Sequence, residues 1–325
     1  MSRICSKHLF GKLAVLLMLV LGLVVTRADL AMAQPAAQSA PQIQRQHQQA
    51  LAGSLLARSY LPFFEPRYVA LGDSVAVGLG LAPLPNASAE DTACGRSASA
   101  YAYEVGSRIN SVLDAASFGM VHMKTLLAAC QQAGVNNLTQ PQDRAGLTVA
   151  PQLDAAFAAG TPALLTLTMG ANDVHWAEFI NQCVSAANCD TAENTAKAQA
   201  FVQTTKDSLT ANLATIRARS HFLPPVVVVT GYYNALSAAC VSSTLTSDEV
   251  AWLKTRTEEV NAGLHQAASH GGLLTRFAPV DFTGHDICSP DSWLQRPFSG
   301  DPAPLHPTLR GQQAMADAVL RSLGL

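Results

Sequence analysis

The chain has 325 residues, of which 49% are apolar and only 14% charged, with 21 Lys+Arg against 23 Asp+Glu. Average soluble chains hold about 25% charged residues, so charge is scarce here; disorder is nevertheless excluded, because disordered chains are charge-rich and poor in apolar residues. The near balance of charge and the lack of any basic tract exclude a typical nucleic-acid binder, and the length suffices to bury a large core.

In chain order, Arg3, Lys7 and Lys12 precede an apolar run from Leu13 to Val25, and Ala31-Met32-Ala33 has the small-x-small pattern of a signal-peptidase site. This layout predicts an export signal over residues 1–33 and a secreted product. The run is shorter than the roughly 20 residues a spanning helix needs, so no stable membrane span is expected after cleavage; an uncleaved anchor is the competing reading. Residues 34–65, rich in Ala, Gln and Pro, read as a flexible spacer. Residues 66–325 then form the folded domain.

The folded part alternates strands and helices. "YVALGDS" from Tyr68 is a short apolar strand ending in a turn. Tyr101 to Leu113 reads as a helix, Met120 to Leu127 as a strand, and Pro151 to Ala159 as a helix stopped by Gly160. "ALLTLTMG" (Ala163 to Gly170) is a buried-type strand, Thr191 to Arg219 a long helix, and "VVVVTG" (Val226 to Gly231) a second buried strand. Ser247 to Ser269 is a helix with Ser247 as its cap and acidic residues in its first turn. Phe277 to Phe282 reads as a strand and Thr308 to Leu323 as a closing helix. Continuous apolar strands alternating with helices predict an α/β fold with a mostly parallel sheet covered on both faces.

Six cysteines follow the signal: Cys94, Cys130, Cys183, Cys189, Cys240 and Cys288. An even count in an exported chain favours disulfides. Six allow 15 pairings; chain order favours Cys94–Cys130, Cys183–Cys189 and Cys240–Cys288. Zinc is the rival reading, but no C-x-x-C pair is present.

In parallel sheets, ligands sit beyond the carboxyl ends of the strands. Three polar sets fall at such positions or at the entry of the last helix: Gly72-Asp73-Ser74, Gly170-Ala171-Asn172-Asp173 and Leu305-His306-Pro307. Each alone has an ordinary explanation. Ser74 can cap a helix, Asn172 and Asp173 suit a turn, and His306-Pro307 suits a helix entry. Together, in this order, they point to one crevice.

These blocks, "ALGDSVAVGLG", "TMGANDV" and "LHPTLRGQQAMADAV", resemble blocks I, III and V of the GDSL esterases, also called SGNH hydrolases. The likeness runs from about Tyr68 to the C-terminus. It is closest to the secreted, disulfide-bearing lipases and esterases of actinomycetes, which also carry a "CGRS" segment, here Cys94 to Ser97. The resemblance implies a three-layer α/β/α sandwich, flavodoxin-like, with residues 66–325 as the SGNH hydrolase domain. It implies Ser74 as nucleophile and His306 as general base and acid. The oxyanion hole it implies comprises the Ser74 N–H, the Asn172 amide and the N–H of a block II glycine, for which Gly134 is the nearest candidate. Relatives have that glycine closer to the cysteine, where this chain has Gln131 and Gln132.

Many members place an Asp three residues before the histidine, a position held here by Ala303. Either Asp301 reaches the imidazole, or Ser74 and His306 work as a dyad with a backbone carbonyl near Ala303 on Nδ1. Fixing the tautomer is the orienting partner's task, and a carbonyl does it without charge, which favours the dyad. His175 and Trp176, just after block III, either line the pocket or pack ordinarily.

The expected function is a secreted serine carboxyl-ester hydrolase, a lipase or esterase working through an acyl-enzyme on an ester or lipid substrate, without metal or organic cofactor. The alternatives are an O-acetyl esterase acting on polysaccharide or cell-wall sugars, and a non-catalytic secreted binding protein on the same scaffold. Substrate choice is expected in the loops Leu79 to Ala93 and Tyr232 to Thr246.

Overall fold

The computed structural model describes residues 66–325 apart from 118–120, 186–187, 221–222, 243–244, 273 and 298. The signal and spacer predicted over residues 1–65 lie outside the described residues.

Five parallel strands form the central sheet in the order β2-β1-β5-β6-β7: β1 Arg67–Gly72, β2 Lys124–Leu127, β5 Leu164–Thr168, β6 Val226–Thr230 and β7 Thr275–Ala278. A small antiparallel hairpin, β3 Gln142–Arg144 and β4 Leu147–Val149, stands apart. The interior strands β5 and β6 are buried at every residue. This is why they read as unbroken apolar and β-branched runs.

Helices cover the two faces. α2 (Tyr101–Ser117) and α7 (Leu309–Leu323) pack on each other, α2 also on β1 and β2, and α7 also on β6 and β7. On the other side α6 (Ser247–His270) lies on β6 and β7, with the long α5 (Ala192–Arg219) packed against it. The result is the expected three-layer α/β/α sandwich. Shorter helices α1 (Ala89–Cys94), α3 (Gln152–Phe157) and α4 (Trp176–Ser185) sit in the connections; α1 and α4 have no counterpart in the sequence reading.

Several boundaries differ from expectation: α2 runs on to Ser117 rather than Leu113, β2 starts at Lys124 rather than Met120, and β7 starts at Thr275 rather than Phe277. The cap of α6 is Thr246 rather than Ser247, because Thr246 Oγ1 accepts the Glu249 N–H while the Glu249 carboxylate accepts the Thr246 N–H. β7 ends at Ala278, where its pairing with Thr230 of β6 stops. Phe282, counted in the predicted strand, instead stacks on Tyr233 with ring centroids 4.5 Å apart.

The middle of the sheet carries a hydroxyl chain. Thr166 Oγ1 bonds Tyr68 and Tyr101, Tyr101 also bonds Thr168, and Thr230 donates to Thr168, all at 2.8–3.0 Å and fully buried. Every link is partnered, so these polar groups tolerate burial.

Register sets the carboxyl ends of the central strands level. Gly72 lies opposite Thr168, Leu167 opposite Val229, and Thr230 opposite Ala278. The loops that follow therefore emerge side by side along one edge of the sheet.

Disulfides join Cys94–Cys130, Cys183–Cys189 and Cys240–Cys288, the pairs favoured by chain order. The first fastens the end of α1 to the loop after β2, across a separation of 36 residues. Removing it through Cys94→Ala with Cys130→Ala is expected to lower unfolding free energy by about 2–4 kcal/mol, read from the midpoint shift in urea titrations.

Candidate active site

The first loop leaves β1 through Gly72, whose φ is +149°. A Cβ there would lie 2.4 Å from the Thr168 carbonyl oxygen, so glycine is needed for the close approach that lets the Asp73 N–H reach that oxygen at 3.0 Å. Gln152 holds Gly72 at both its N–H (2.8 Å) and its carbonyl (2.9 Å). Gln312 of α7 donates to Val75 O at 2.9 Å and accepts from Tyr101 N–H at 2.8 Å.

Asp73 is wholly buried. Its carboxylate accepts from the Val75 N–H at 2.9 Å and from the Tyr232 hydroxyl at 2.5 Å. Burial pushes its pKa up to about 7, against the downward pull of those two bonds.

The second loop follows β5. Asn172 donates its amide to Ala133 O at 2.9 Å, and Asp173 accepts the Val135 N–H at 2.9 Å. Burial raises the Asp173 pKa. The two side chains lock this loop onto the third, which follows β2 and is tied to the first by Cys130 N–H on Gly72 O at 3.0 Å. Arg96, from the "CGRS" segment, donates to Ala129 O at 2.9 Å and pairs with Glu90 and Asp91.

Gly134, expected as a backbone donor, gives its N–H to Asn137 Oδ1 at 3.0 Å. That donor is already engaged. Gln132 is the residue whose backbone takes the left-handed form, at φ +62°, with its side-chain oxygen accepting from Arg144 Nη1. The N–H groups of Gln132 and Ser74 have no acceptor among the described residues.

The fourth loop carries His306. Its Nε2 lies 2.8 Å from Ser74 Oγ. Nδ1 faces Pro304 O at 3.1 Å. A carbonyl only accepts, so Nδ1 bears the proton and Nε2 is left to accept from the serine hydroxyl. Burial lowers the His306 pKa, while the backbone oxygens of Pro304 and Ala303 oppose the shift. Asp301 stays exposed, accepting from Arg296 N–H at 2.8 Å and Ser299 Oγ at 2.7 Å; those bonds hold its carboxyl below the usual range, and it makes no bond to the imidazole.

His175 bonds Glu178 at 2.8 Å and rests against the Phe201 ring. The structure thus brings Ser74 and His306 into contact and places Asn172 on the adjoining loop. It leaves Gly134 and Asp301 occupied elsewhere. Sequence reasoning missed Tyr232, whose hydroxyl donates to Asp73 and accepts the Ala171 N–H at 3.1 Å, thereby joining the first two loops. Its one advance signal is its place directly after a buried strand.

A hydroxyl–imidazole pair of this geometry can pass a proton between oxygen and nitrogen.

The sequence pattern of the GDSL-like Lipase/Acylhydrolase family matches residues 70–314. Lipase 1 of Streptomyces coelicolor is 26% identical over 271 residues, covering 81% of this chain and 88% of that protein. A lipase of Streptomyces rimosus is 28% identical, covering 78% and 85%. Among solved structures, phospholipase A1 from Streptomyces albidoflavus superposes with a TM-score of 0.59 at 25% identity, covering 80% of this chain and all of that one. The extracellular lipase of S. rimosus gives 0.61 at 23%, covering 79% and 99%, a likeness of fold.

The state of Asp73 sets a pH dependence of stability. Its folded pKa of about 7 lies above the ordinary 3.8, so the native state holds a proton that the unfolded chain releases across that window. Stability contributed by this group is present at low pH and lost as pH rises toward 7 and above. Asp73→Asn is expected to lose less unfolding free energy than the wild type between pH 5 and 7.5, by more than about 1 kcal/mol, in urea titrations at the two pH values.

Proposed function

Because the chain belongs to the GDSL-like lipase/acylhydrolase family and is a carboxylic ester hydrolase, we propose that it cleaves esters through a Ser74–His306 dyad and a covalent acyl-enzyme. The observation that carries the reading is the 2.8 Å bond between Ser74 Oγ and His306 Nε2. Ser74 Oγ attacks the ester carbonyl as Nε2 takes its proton. The tetrahedral oxyanion is held by the Ser74 N–H, the Gln132 N–H and the second amide hydrogen of Asn172. The alkoxide leaves with the proton from Nε2. Water, activated by the same nitrogen, then releases the acid. Each oxyanion donor contributes about 3 kcal/mol to such a step.

In this reading the chain is exported, its leader being residues 1–33 and its spacer residues 34–65. The three disulfides and the extracellular origin stated for the S. rimosus lipase support export. Among the described residues no helix is long and apolar enough to cross a membrane.

The substrate is proposed to be a long-chain acyl ester. A cavity of about 400 Å³ beside the Tyr232 to Thr246 region is lined by Leu236, Val241, Val250, Ala251 and Phe282 on one hand and by the polar Asn234, Lys254, Asn261, Asp281 and Asp286 on the other. Tyr232, which lines it, also reaches Asp73 through its hydroxyl, linking the cavity wall to the serine loop. Its size and the apolar part of its wall suit a hydrocarbon chain, and an acetyl group would leave most of it empty.

Three measurements test this. A serine-reactive phosphonate is expected to label Ser74 in the native protein and to leave Ser74→Ala unmodified; a native protein that resists labelling there would favour a binding protein. The acid limb of kcat/KM should have its midpoint below pH 6.5, since His306 must be neutral to accept the proton and burial depresses its pKa. Ala251→Trp, at an exposed position of the cavity wall, should lower kcat/KM for long-chain p-nitrophenyl esters about tenfold while the acetate ester stays within about threefold, since each methylene denied burial forfeits about 0.8 kcal/mol.

A further inference from the structure

His306 carries a mechanism without an acid behind it, so something else must fix its ring. The loop that bears it is irregular. Leu305, directly before it, is a leucine with φ +68°, a conformation that persists only when its surroundings impose it. Pro304 supplies the carbonyl on Nδ1, and a carbonyl orients an imidazole only if its own peptide is held.

The group that holds it is Gln295, 3% exposed. Its backbone runs antiparallel to the histidine loop. Gln295 N–H donates to His306 O at 2.8 Å, and Leu305 N–H donates to Gln295 O at 2.8 Å. Thr308 N–H continues the pairing onto Trp293 O at 2.8 Å. The side chain adds a second set. Its oxygen accepts the Ala303 N–H at 3.2 Å, and its NH₂ donates to Leu79 O at 2.7 Å and to Pro307 O at 3.3 Å.

Leu79 belongs to the turn that leaves Ser74, its N–H donating to Ser74 O at 3.2 Å. One buried amide therefore spans the serine loop and both ends of the histidine turn. The fold makes room for it at Gly80, φ +83°, where a Cβ would stand 2.4 Å from the Gln295 side-chain oxygen. Only a primary amide presents an acceptor and two donors in this plane. Leucine would leave the buried Ala303 N–H without a partner and take the donor from the half-buried Leu79 O.

We infer that Gln295 is the positioning residue that takes the place of an orienting acid: by clamping residues 303–307 to the serine loop it holds the Pro304 carbonyl on His306 Nδ1 and the imidazole on Ser74. This rests on the Ser74–His306 reading above, which Ser74→Ala tests separately: an undiminished Ser74→Ala variant sinks that reading whatever Gln295 does.

The experiment compares wild type, Gln295→Leu and Asp301→Asn on p-nitrophenyl butyrate, together with the downfield proton NMR signal of His306 Nδ1–H. Folded Gln295→Leu is expected to lose kcat about 10- to 100-fold, the scale of a misplacement near 1 Å, with KM within threefold and the downfield signal lost. Asp301→Asn is expected to keep kcat within threefold and to keep the signal. A folded Gln295→Leu whose kcat stays within threefold, or whose downfield signal survives, overturns the inference. So does an Asp301→Asn loss of several hundred-fold. If Gln295→Leu does not fold, Gln295→Glu decides on the same two readouts: it has the same size, retains the acceptor for Ala303 N–H and loses the donor to Leu79 O when ionised.

Discussion

Ser74 and His306 are 232 residues apart in the chain and 2.8 Å apart in space, and neither sits within a strand or a helix. Their meeting depends on loops being held as stiffly as the sheet they leave. The structure does this with buried primary amides. Gln152 grips the end of β1, Gln312 grips the turn after Ser74 from α7, and Gln295 grips the histidine loop. Each is at most 3% exposed and each serves backbone groups that no regular element satisfies. Unpartnered, those groups would cost about 1–3 kcal/mol apiece.

The same economy explains a chain with so little charge. Acids buried near the site are used as anchors. Asp173 pins the turn after Gly134, and Asp73 pins the serine turn and receives Tyr232. Asp73 illustrates the cost of such use, since desolvation works against its ionised form even with two donors aimed at it. In the proposed mechanism the proton path runs through neutral groups, from a hydroxyl to an imidazole whose far side meets a carbonyl.

Much of this was legible in advance for a physical reason. A parallel sheet delivers residues after strands to one edge, so Ser74 and Asn172 were bound to be neighbours once β1 and β5 were recognised, and His306 announced itself at a helix entry. What escaped notice has no local signature. A backbone carbonyl near Ala303 was expected on Nδ1, and only the residue that supplies it, Pro304, had no signal, since any residue type offers a carbonyl. Gln132 takes a conformation expected of glycine, whereas the familiar pattern points to Gly134, the nearest glycine. Gln295 and Tyr232 act through partners far along the chain, and neither residue type singles out its own position. Phe282 looked like the end of a strand because its burial is apolar, but that burial comes from stacking on Tyr233 and from meeting Trp293 edge-on.

The disulfide between Cys94 and Cys130 ends two residues before Gln132. A reducing compartment would withhold that bond, and the left-handed backbone of Gln132 would there lose its nearest covalent tether.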